Sequence, residues 1–95
     1  AANAMGAWRV EEARVEAVGR HMAAQRQISH CYRRNPTPEW PYNLYTMIHA
    51  DCEANCHALA RELSRQTGVP DYLLLFSRRE LKKISMTYFP DDDED

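Results

Sequence analysis

Apolar and polar positions alternate along the chain with two different periods, and the period predicts which segments are strands and which are helices. Residues 5–10 have the length and composition of a strand. Residues 11–24 begin with acidic side chains and then place apolar ones at helical spacing, which predicts a helix. Residues 28–34 and 42–49 are predicted strands, because the prolines between them cannot donate to a ladder and are typical of turns.

The second half of the chain begins with another predicted helix. Asp51 is a suitable N-cap for a helix that runs to Thr67, where Gly68 is a good stop signal. The apolar positions of this helix form a single stripe at i, i+4, i+7, i+8 and i+11, namely Cys52, Cys56, Leu59, Ala60 and Leu63. Residues 72–76 are an apolar run of strand length, residues 78–83 a charged turn or short helical piece, and residues 84–89 a last strand.

This order of elements predicts an α+β fold. A β-α-β-β-α-β order with an extra C-terminal strand is typical of a ferredoxin-like sandwich, in which both helices cover one face of an antiparallel sheet. The opposite face is then available to a ligand or a partner. We predict one such domain over residues 1–90 and an acidic, disordered tail over residues 91–95.

Length and charge narrow the class of protein. A chain of 95 residues buries only about 60–65% of its unfolded surface, so a dimer is expected to help it fold. The net charge of -2 includes five acids in the tail, and the remaining basic excess is too small and scattered to predict nucleic-acid binding. No apolar run is long enough for a membrane span and no signal peptide is visible. Three cysteines, an odd number, indicate reduced thiols, and cytoplasm is the predicted compartment.

Residues 28–49 hold the side chains that bear on chemistry. This segment combines histidine, tyrosine, tryptophan, arginine and asparagine around the proline-rich turn, whereas a strand pair built for stability alone favours branched apolar residues. Even positions from Ile28 to Arg34 are expected to share one face. If the two strands pair, one surface is lined by His30, Tyr32, Arg34, Asn43, Tyr45 and His49. These aromatic residues would alternatively cover the sheet or a dimer contact.

A second motif, Cys52 to His57, approaches the pattern of c-type haem attachment. It has three residues between the cysteines where two are usual, and both cysteines lie on the apolar stripe. Packing is therefore the favoured interpretation, and a zinc site here lacks a fourth ligand. His21, alone within the first helix, is predicted to be solvated.

The central segment resembles the siroheme decarboxylases of the Ahb and Nir type. The matching motifs are SHCYRR at residues 29–34, WPYNLYTMIH at 40–49, LFS at 75–77, ELKK at 80–83 and YF at 88–89. Such proteins look like Lrp/AsnC-type regulators, with a helix-turn-helix domain joined to a ferredoxin-like ligand domain. The helix-turn-helix domain is absent from this sequence, so contact with DNA is not expected.

The resemblance implies a carboxy-lyase. It implies removal of two acetate carboxyls from siroheme, giving 12,18-didecarboxysiroheme in alternative haem or haem d1 biosynthesis. The site would lie between two related subunits, either a paralogue or a second copy of the chain. No cofactor beyond the iron tetrapyrrole substrate is implied, and haem binding is an open alternative.

The resemblance also suggests roles for single residues. His30 and His49 are suited to protonate the methylene carbon left by carbon dioxide, and either one is alternatively an iron ligand. Arginine forks match rim carboxylates, which makes Arg34 the main anchor. The remaining candidates for substrate binding are Arg33, Arg78, Lys82, Tyr32, Tyr42, Tyr45, Asn43 and, over the ring, Trp40. The competing hypothesis is an effector-sensing domain of an Lrp/AsnC-type regulator.

Overall fold

Four antiparallel strands form one sheet in the order β2-β3-β1-β4 in the computed structural model, which describes residues 1–76. The strands are β1 (Ala2–Trp8), β2 (Ile28–Arg33), β3 (Leu44–Ala50) and β4 (Tyr72–Phe76). A 3-10 turn (Glu12–Arg14) and helix α1 (Val15–Ala23) connect β1 to β2, and helix α2 (Glu53–Thr67) connects β3 to β4. This β-α-β-β-α-β order confirms the predicted ferredoxin-like α+β fold. The charged piece at 78–83, the last strand at 84–89 and the tail at 91–95 lie outside the described residues.

The core lies between the helices and one face of the sheet. Even-numbered residues of β1 and β3 point to this side. Ala4 lies opposite Ile48 and Trp8 opposite Leu44, and all four belong to the core. Both helices contribute an apolar stripe, with Val15, Val18 and Met22 from α1 and Cys56, Ala60 and Leu63 from α2. The spacing of these residues is that of one helix face, which is why the pattern predicted both helices.

The boundaries of β1, α1 and α2 differ most from the sequence prediction, and those of β2 and β3 differ by one or two residues. Strand β1 begins at Ala2 rather than residue 5, because pairing with β3 from Ala2, and with β4 from Ala4, overrides the low strand propensity of its small residues. Helix α1 is preceded by a 3-10 turn instead of beginning at residue 11. Helix α2 is capped by Cys52 and not by Asp51, so Cys52 is exposed and leaves the predicted stripe. Gly68 ends α2 in the left-handed conformation at φ 72°, as predicted.

A close contact inside the sheet requires glycine at position 6. The indole N–H of Trp8 donates to Thr46 Oγ1 at 3.0 Å, and all three residues are buried. A Cβ at position 6 would lie 2.8 Å from both of these atoms, which is closer than carbon can approach them. Gly6 therefore lets the central strands carry a buried hydrogen-bonded pair within the core.

The other side of the sheet carries the odd-numbered residues of β1 and β3, and we call it the open face. Along the register, Asn3 pairs with His49, Met5 with Met47 and Ala7 with Tyr45. The open face continues onto β2 through His30 and Tyr32, and onto β4 through Leu73 and Leu75. Both leucines are 38% exposed, as no helix among residues 1–76 packs on this side.

A β-bulge in β2 corrects the predicted set of residues on the open face. Ile28 pairs with Ile48 and His30 pairs with Met47, so Ser29 is an extra residue without a partner in the ladder. Ile28 consequently packs in the core, whereas His30 points to the open face. The simple alternation used for the sequence prediction placed both on one side.

Candidate functional site

A stacked pair of tyrosines forms the centre of the candidate site. Tyr32 on β2 lies opposite Tyr45 on β3, and their ring centroids are 5.6 Å apart at an interplanar angle of 16°. The Arg34 guanidinium carbon lies 5.7 Å from the centroid of the Tyr45 ring, which is cation–π geometry. Tyr45 is only 4% exposed, but Tyr32 is 45% exposed. Tyr32 thus offers a flat aromatic surface with an arginine nearby.

The connection between β2 and β3 covers the inner tyrosine. Thr37 and Trp40 exchange two backbone hydrogen bonds of 3.0 Å, and the Thr37 hydroxyl also accepts from the Trp40 N–H at 3.0 Å. This turn brings the Trp40 indole N–H to the Tyr45 hydroxyl, to which it donates. The Tyr45 hydroxyl in turn donates to the Tyr42 carbonyl at 3.3 Å. The Tyr45 hydroxyl is therefore hydrogen-bonded to other groups of the same chain, and Trp40 remains partly exposed beside it.

Tyr42 is anchored to Asp71, the residue before β4, and is not free for a ligand. Its hydroxyl donates to Asp71 Oδ1 at 3.2 Å, and Asp71 also pairs with Arg9 at 3.4 Å. Loss of hydration and the Asp71 carboxylate raise the pKa of the Tyr42 phenol. The Tyr42 ring meets Trp40 edge-on at 5.1 Å. The Tyr42 side chain therefore packs against Trp40 and is not presented to a ligand.

Asn43 was predicted to line the open face, but its side chain bonds to the backbone of Val10 instead. Its side chain accepts from the Val10 N–H at 2.9 Å and donates to the Val10 carbonyl at 2.8 Å, and both residues are buried. Both polar ends of the amide are thus consumed in joining β3 to the segment after β1. Because the Asn43 side chain is also buried, it is not presented on the open face to a ligand.

The two candidate histidines lie on the open face in different surroundings. His49 Nδ1 is 2.7 Å from Asn3 Oδ1, and His49 Nε2 is 2.6 Å from Ser29 Oγ. His30 is exposed, and no side chain among residues 1–76 forms a hydrogen bond with its ring. The His49 ring is therefore held at both nitrogens, whereas the His30 ring is accessible.

The predicted arginines are separated by the pleat of β2. Arg33 lies opposite Leu44, on the helix side of the sheet, and pairs with Glu12 at 3.1 Å. It is therefore not brought together with Arg34 on the open face. Arg78 and Lys82 lie outside the described residues.

Burial distinguishes the three cysteines. Burial raises the pKa of the Cys31 and Cys56 thiols, and Cys52 is exposed at the start of α2. His57 contacts the Phe76 ring at 5.4 Å instead of approaching a metal-ligand set. Across residues 1–76, no cluster of three or more histidine, cysteine or acidic side chains could hold a metal ion.

Three residues near the candidates were missed by the sequence analysis: Asn3, Ser29 and Asp71. Asn3 and Asp71 are far from the motif in sequence and reach it only through the register of β1 and the loop before β4. Ser29 lies inside the quoted motif, but its role depends on a bulge that alternation does not predict. Only the tertiary pairing of distant segments could have revealed Asn3 and Asp71.

The fold and its open face define a ferredoxin-like ligand-binding domain. The chain belongs to the family of the AsnC-like ligand binding domain, whose model matches residues 1–82. It is 46% identical over 85 residues to the siroheme decarboxylase beta subunit of Methanosarcina barkeri, covering 90% of this chain and 56% of that relative. The chain thus spans about half the length of this curated relative. The resemblance inferred from the motifs is confirmed.

Solved structures show the same relationship. The crystal structure of the siroheme decarboxylase NirDL matches with a TM-score of 0.81 and 42% identity, over 94% of this chain and 29% of that one. NirDL in co-complex with an iron-uroporphyrin III analogue matches with a TM-score of 0.79 and 41% identity, over 82% and 26% of the two chains. No helix in residues 1–76 has the length and apolar character needed to cross a membrane.

Proposed function

We propose that this chain is a subunit of a siroheme decarboxylase, a carboxy-lyase that removes two acetate carboxyls from siroheme. The product would be 12,18-didecarboxysiroheme, an intermediate of alternative haem or haem d1 biosynthesis. The relationship to siroheme decarboxylase subunits supports this proposal. The single observation that carries it is the exposed Tyr32 ring, stacked on Tyr45 beside Arg34, on a face with two histidines.

The aromatic pair and the arginine fit the two parts of the substrate. Siroheme is a flat macrocycle whose rim carries carboxylates. The exposed face of Tyr32 can stack on the ring, while the Arg34 fork binds a rim carboxylate through paired charge-assisted hydrogen bonds. The contact between Arg34 and the Tyr45 ring holds the guanidinium near the stacking surface. Trp40, partly exposed beside Tyr45, can extend that surface.

The histidines supply the acid that the reaction needs. Loss of carbon dioxide leaves an electron pair on the methylene carbon, and a proton must reach that carbon to complete the methyl group. The accessible ring of His30 is suited to contact the tetrapyrrole directly, as a proton donor or as an iron ligand. His49 is held by Asn3 and Ser29, so its role is indirect in this arrangement.

A second subunit would complete the site. A macrocycle on the open face has one wall from this chain and requires another to exclude water from its second side. The exposed Leu73 and Leu75, on β4 at the other edge of the open face, provide apolar surface for such a contact. The partner would be a paralogous subunit or a second copy of the chain. We propose the cytoplasm as the compartment, which is consistent with three unpaired cysteines.

Anaerobic incubation with siroheme tests the function. The purified protein, alone and with a paralogous subunit, is incubated with siroheme, and pigment mass and absorbance are followed. Loss of two carbon dioxide units supports the proposal. If both preparations bind siroheme and neither removes carbon dioxide, the decarboxylase proposal is contradicted and an effector-sensing domain is favoured. If neither preparation binds siroheme, the decarboxylase proposal and a siroheme-sensing role are both contradicted.

Arg34→Lys tests the substrate-binding face within the same assay. Lysine keeps the charge but lacks the planar fork, so we expect KM to increase on the order of tenfold, since one charge-assisted bond is worth about 1.5–3 kcal/mol. Arg20→Lys is the matched control, because the Arg20 side chain is exposed on α1 and pairs with Glu16 at 3.8 Å. Equal KM values for the two variants would remove Arg34 from the site.

A further inference from the structure

Side chains from three strands meet at one imidazole on the open face. Asn3 on β1 lies directly opposite His49 on β3, and its Oδ1 is 2.7 Å from His49 Nδ1. Ser29 on β2 approaches from the other side, with its Oγ 2.6 Å from His49 Nε2. The result is a continuous hydrogen-bonded chain that runs across the sheet from Asn3 to Ser29.

The β-bulge explains how Ser29 reaches this position. In a regular strand, Ser29 and His30 would point to opposite faces of the sheet. Because Ile28 pairs with Ile48 and His30 with Met47, Ser29 is the extra residue of the bulge. Bulges re-aim side chains and are frequent beside active sites. Here the bulge brings the Ser29 hydroxyl to the same face as the accessible His30 ring.

The chemistry of the three groups fixes the direction of the hydrogen bonds. An amide oxygen only accepts, so His49 Nδ1 carries the hydrogen and donates to Asn3. In the neutral ring, Nε2 is then the acceptor and the Ser29 hydroxyl donates to it. In the protonated ring, Nε2 donates to Ser29 Oγ, and the serine hydrogen is directed elsewhere. With both ring nitrogens engaged, His49 can communicate with a ligand on the open face only through Ser29.

We propose that Ser29 is a catalytic residue that delivers the proton, with His49 and Asn3 as the positioning residues behind it; this rests on the proposed decarboxylase function. When the carbon–carbon bond breaks, carbon dioxide leaves and the electron pair stays on the methylene carbon. The Ser29 hydroxyl proton passes to that carbon as the protonated His49 returns its Nε2 proton to Ser29 Oγ. A methyl group and a neutral imidazole result. The Nδ1–H bond to Asn3 is kept throughout, and no oxidant or reductant is required.

The proton is renewed between turnovers along the same path. Both ring nitrogens of His49 are engaged, Nδ1 by Asn3 and Nε2 by Ser29. A proton from solvent therefore returns to His49 Nε2 through the exposed Ser29 hydroxyl once the methyl product has moved away from it.

The tautomer of His49 is the first test and needs no siroheme. Long-range proton–nitrogen NMR on the labelled protein at alkaline pH separates the ring tautomers of the four histidines, and the His49→Gln variant assigns the signal. We expect the Nδ1–H form in the native protein and a shift towards the Nε2–H form in Asn3→Leu. A predominant Nε2–H form in the native protein would overturn the proposed arrangement.

Turnover kinetics test the role of Ser29 itself. General acid catalysis is worth about 10²–10⁴-fold, so we expect Ser29→Ala to lower kcat on the order of 100-fold while KM changes less than about twofold. Ser29→Thr, which keeps a hydroxyl, should restore most of the rate. The double variant Ser29→Ala/His49→Gln should be no slower than His49→Gln, because both groups serve one proton path. His21→Gln, on α1, is the control for a histidine outside the site.

The possible failures are distinguishable. Native turnover in Ser29→Ala, or independent additive losses from Ser29 and His49, would overturn the proton path while leaving the decarboxylase function intact. Absence of turnover in the native complex would overturn the proposed function and this step together. In that case the NMR result alone would show whether the Asn3–His49–Ser29 chain exists.

Discussion

Asn43 offers a sharp test of whether a residue in the motif serves the fold or the ligand. Its amide forms two hydrogen bonds, of 2.9 and 2.8 Å, with the backbone of Val10. The two residues are 4% and 5% exposed, so water cannot easily replace either bond. Asn43→Ala would leave one donor and one acceptor of Val10 without partners.

The expected loss of stability follows from the unpaired N–H and carbonyl of Val10. A buried polar group left unpaired costs about 1–3 kcal/mol, which gives about 2–6 kcal/mol for the pair. Truncation also opens space that a water molecule can enter, so we expect a loss of about 2–4 kcal/mol in the free energy of unfolding. A domain of this size is stable by about 5–14 kcal/mol in total, so the variant should fold but with much reduced stability.

Urea denaturation followed by circular dichroism measures this loss. Asn35→Ala is the matched control, since Asn35 is exposed in the connection before β3, and it should change the stability by less than about 0.5 kcal/mol. If Asn43→Ala were as stable as Asn35→Ala but bound siroheme weakly, the reasoning would be refuted. Asn43 would then contact the ligand, as the sequence motif suggested.

Two further predictions concern packing and thiol reactivity. Gly6→Ala should destabilise the protein by about 1–3 kcal/mol in the same assay, because its Cβ would collide with the buried Trp–Thr pair. Gly19→Ala should instead be neutral or stabilising by up to about 1 kcal/mol, since its nearest neighbour would be 3.5 Å away within a helix; an equal loss in both would contradict the argument. In the native protein, iodoacetamide should modify Cys52 before Cys31 and Cys56, whose raised pKa values and burial disfavour the thiolate. Peptide mass spectrometry gives the order, and faster labelling of Cys56 than of Cys52 would be inconsistent with this structure.

The sequence predicted the elements well because their signals are local. The apolar spacing in α1 and α2, the glycine at the end of α2 and the prolines between β2 and β3 each determine structure within a few residues. The start of β1 was missed because Ala2 to Ala4 gain their strand conformation from pairing with distant segments.

The candidate site was only partly predictable for the same reason. Tyr32, Tyr45 and the two histidines were assigned to one face correctly, since alternation holds along most of each strand. Asn43 was misplaced because its partner, Val10, is 33 residues away in the sequence. Ser29 depends on a bulge whose position is set by tertiary pairing, and no local pattern indicates it.

The position of β1 in the sheet has a consequence for how the chain folds. β1 comes first in the sequence but lies at the centre, bonded to β3 on one side and β4 on the other. The hairpin of β2 and β3 can form from neighbouring segments, whereas β1 must wait for strands about 40 and 70 residues further on. Contacts of such sequence separation slow folding. During synthesis, the segment that supplies Asn3 to the open face therefore remains unpaired until its partner His49 on β3 has also left the ribosome.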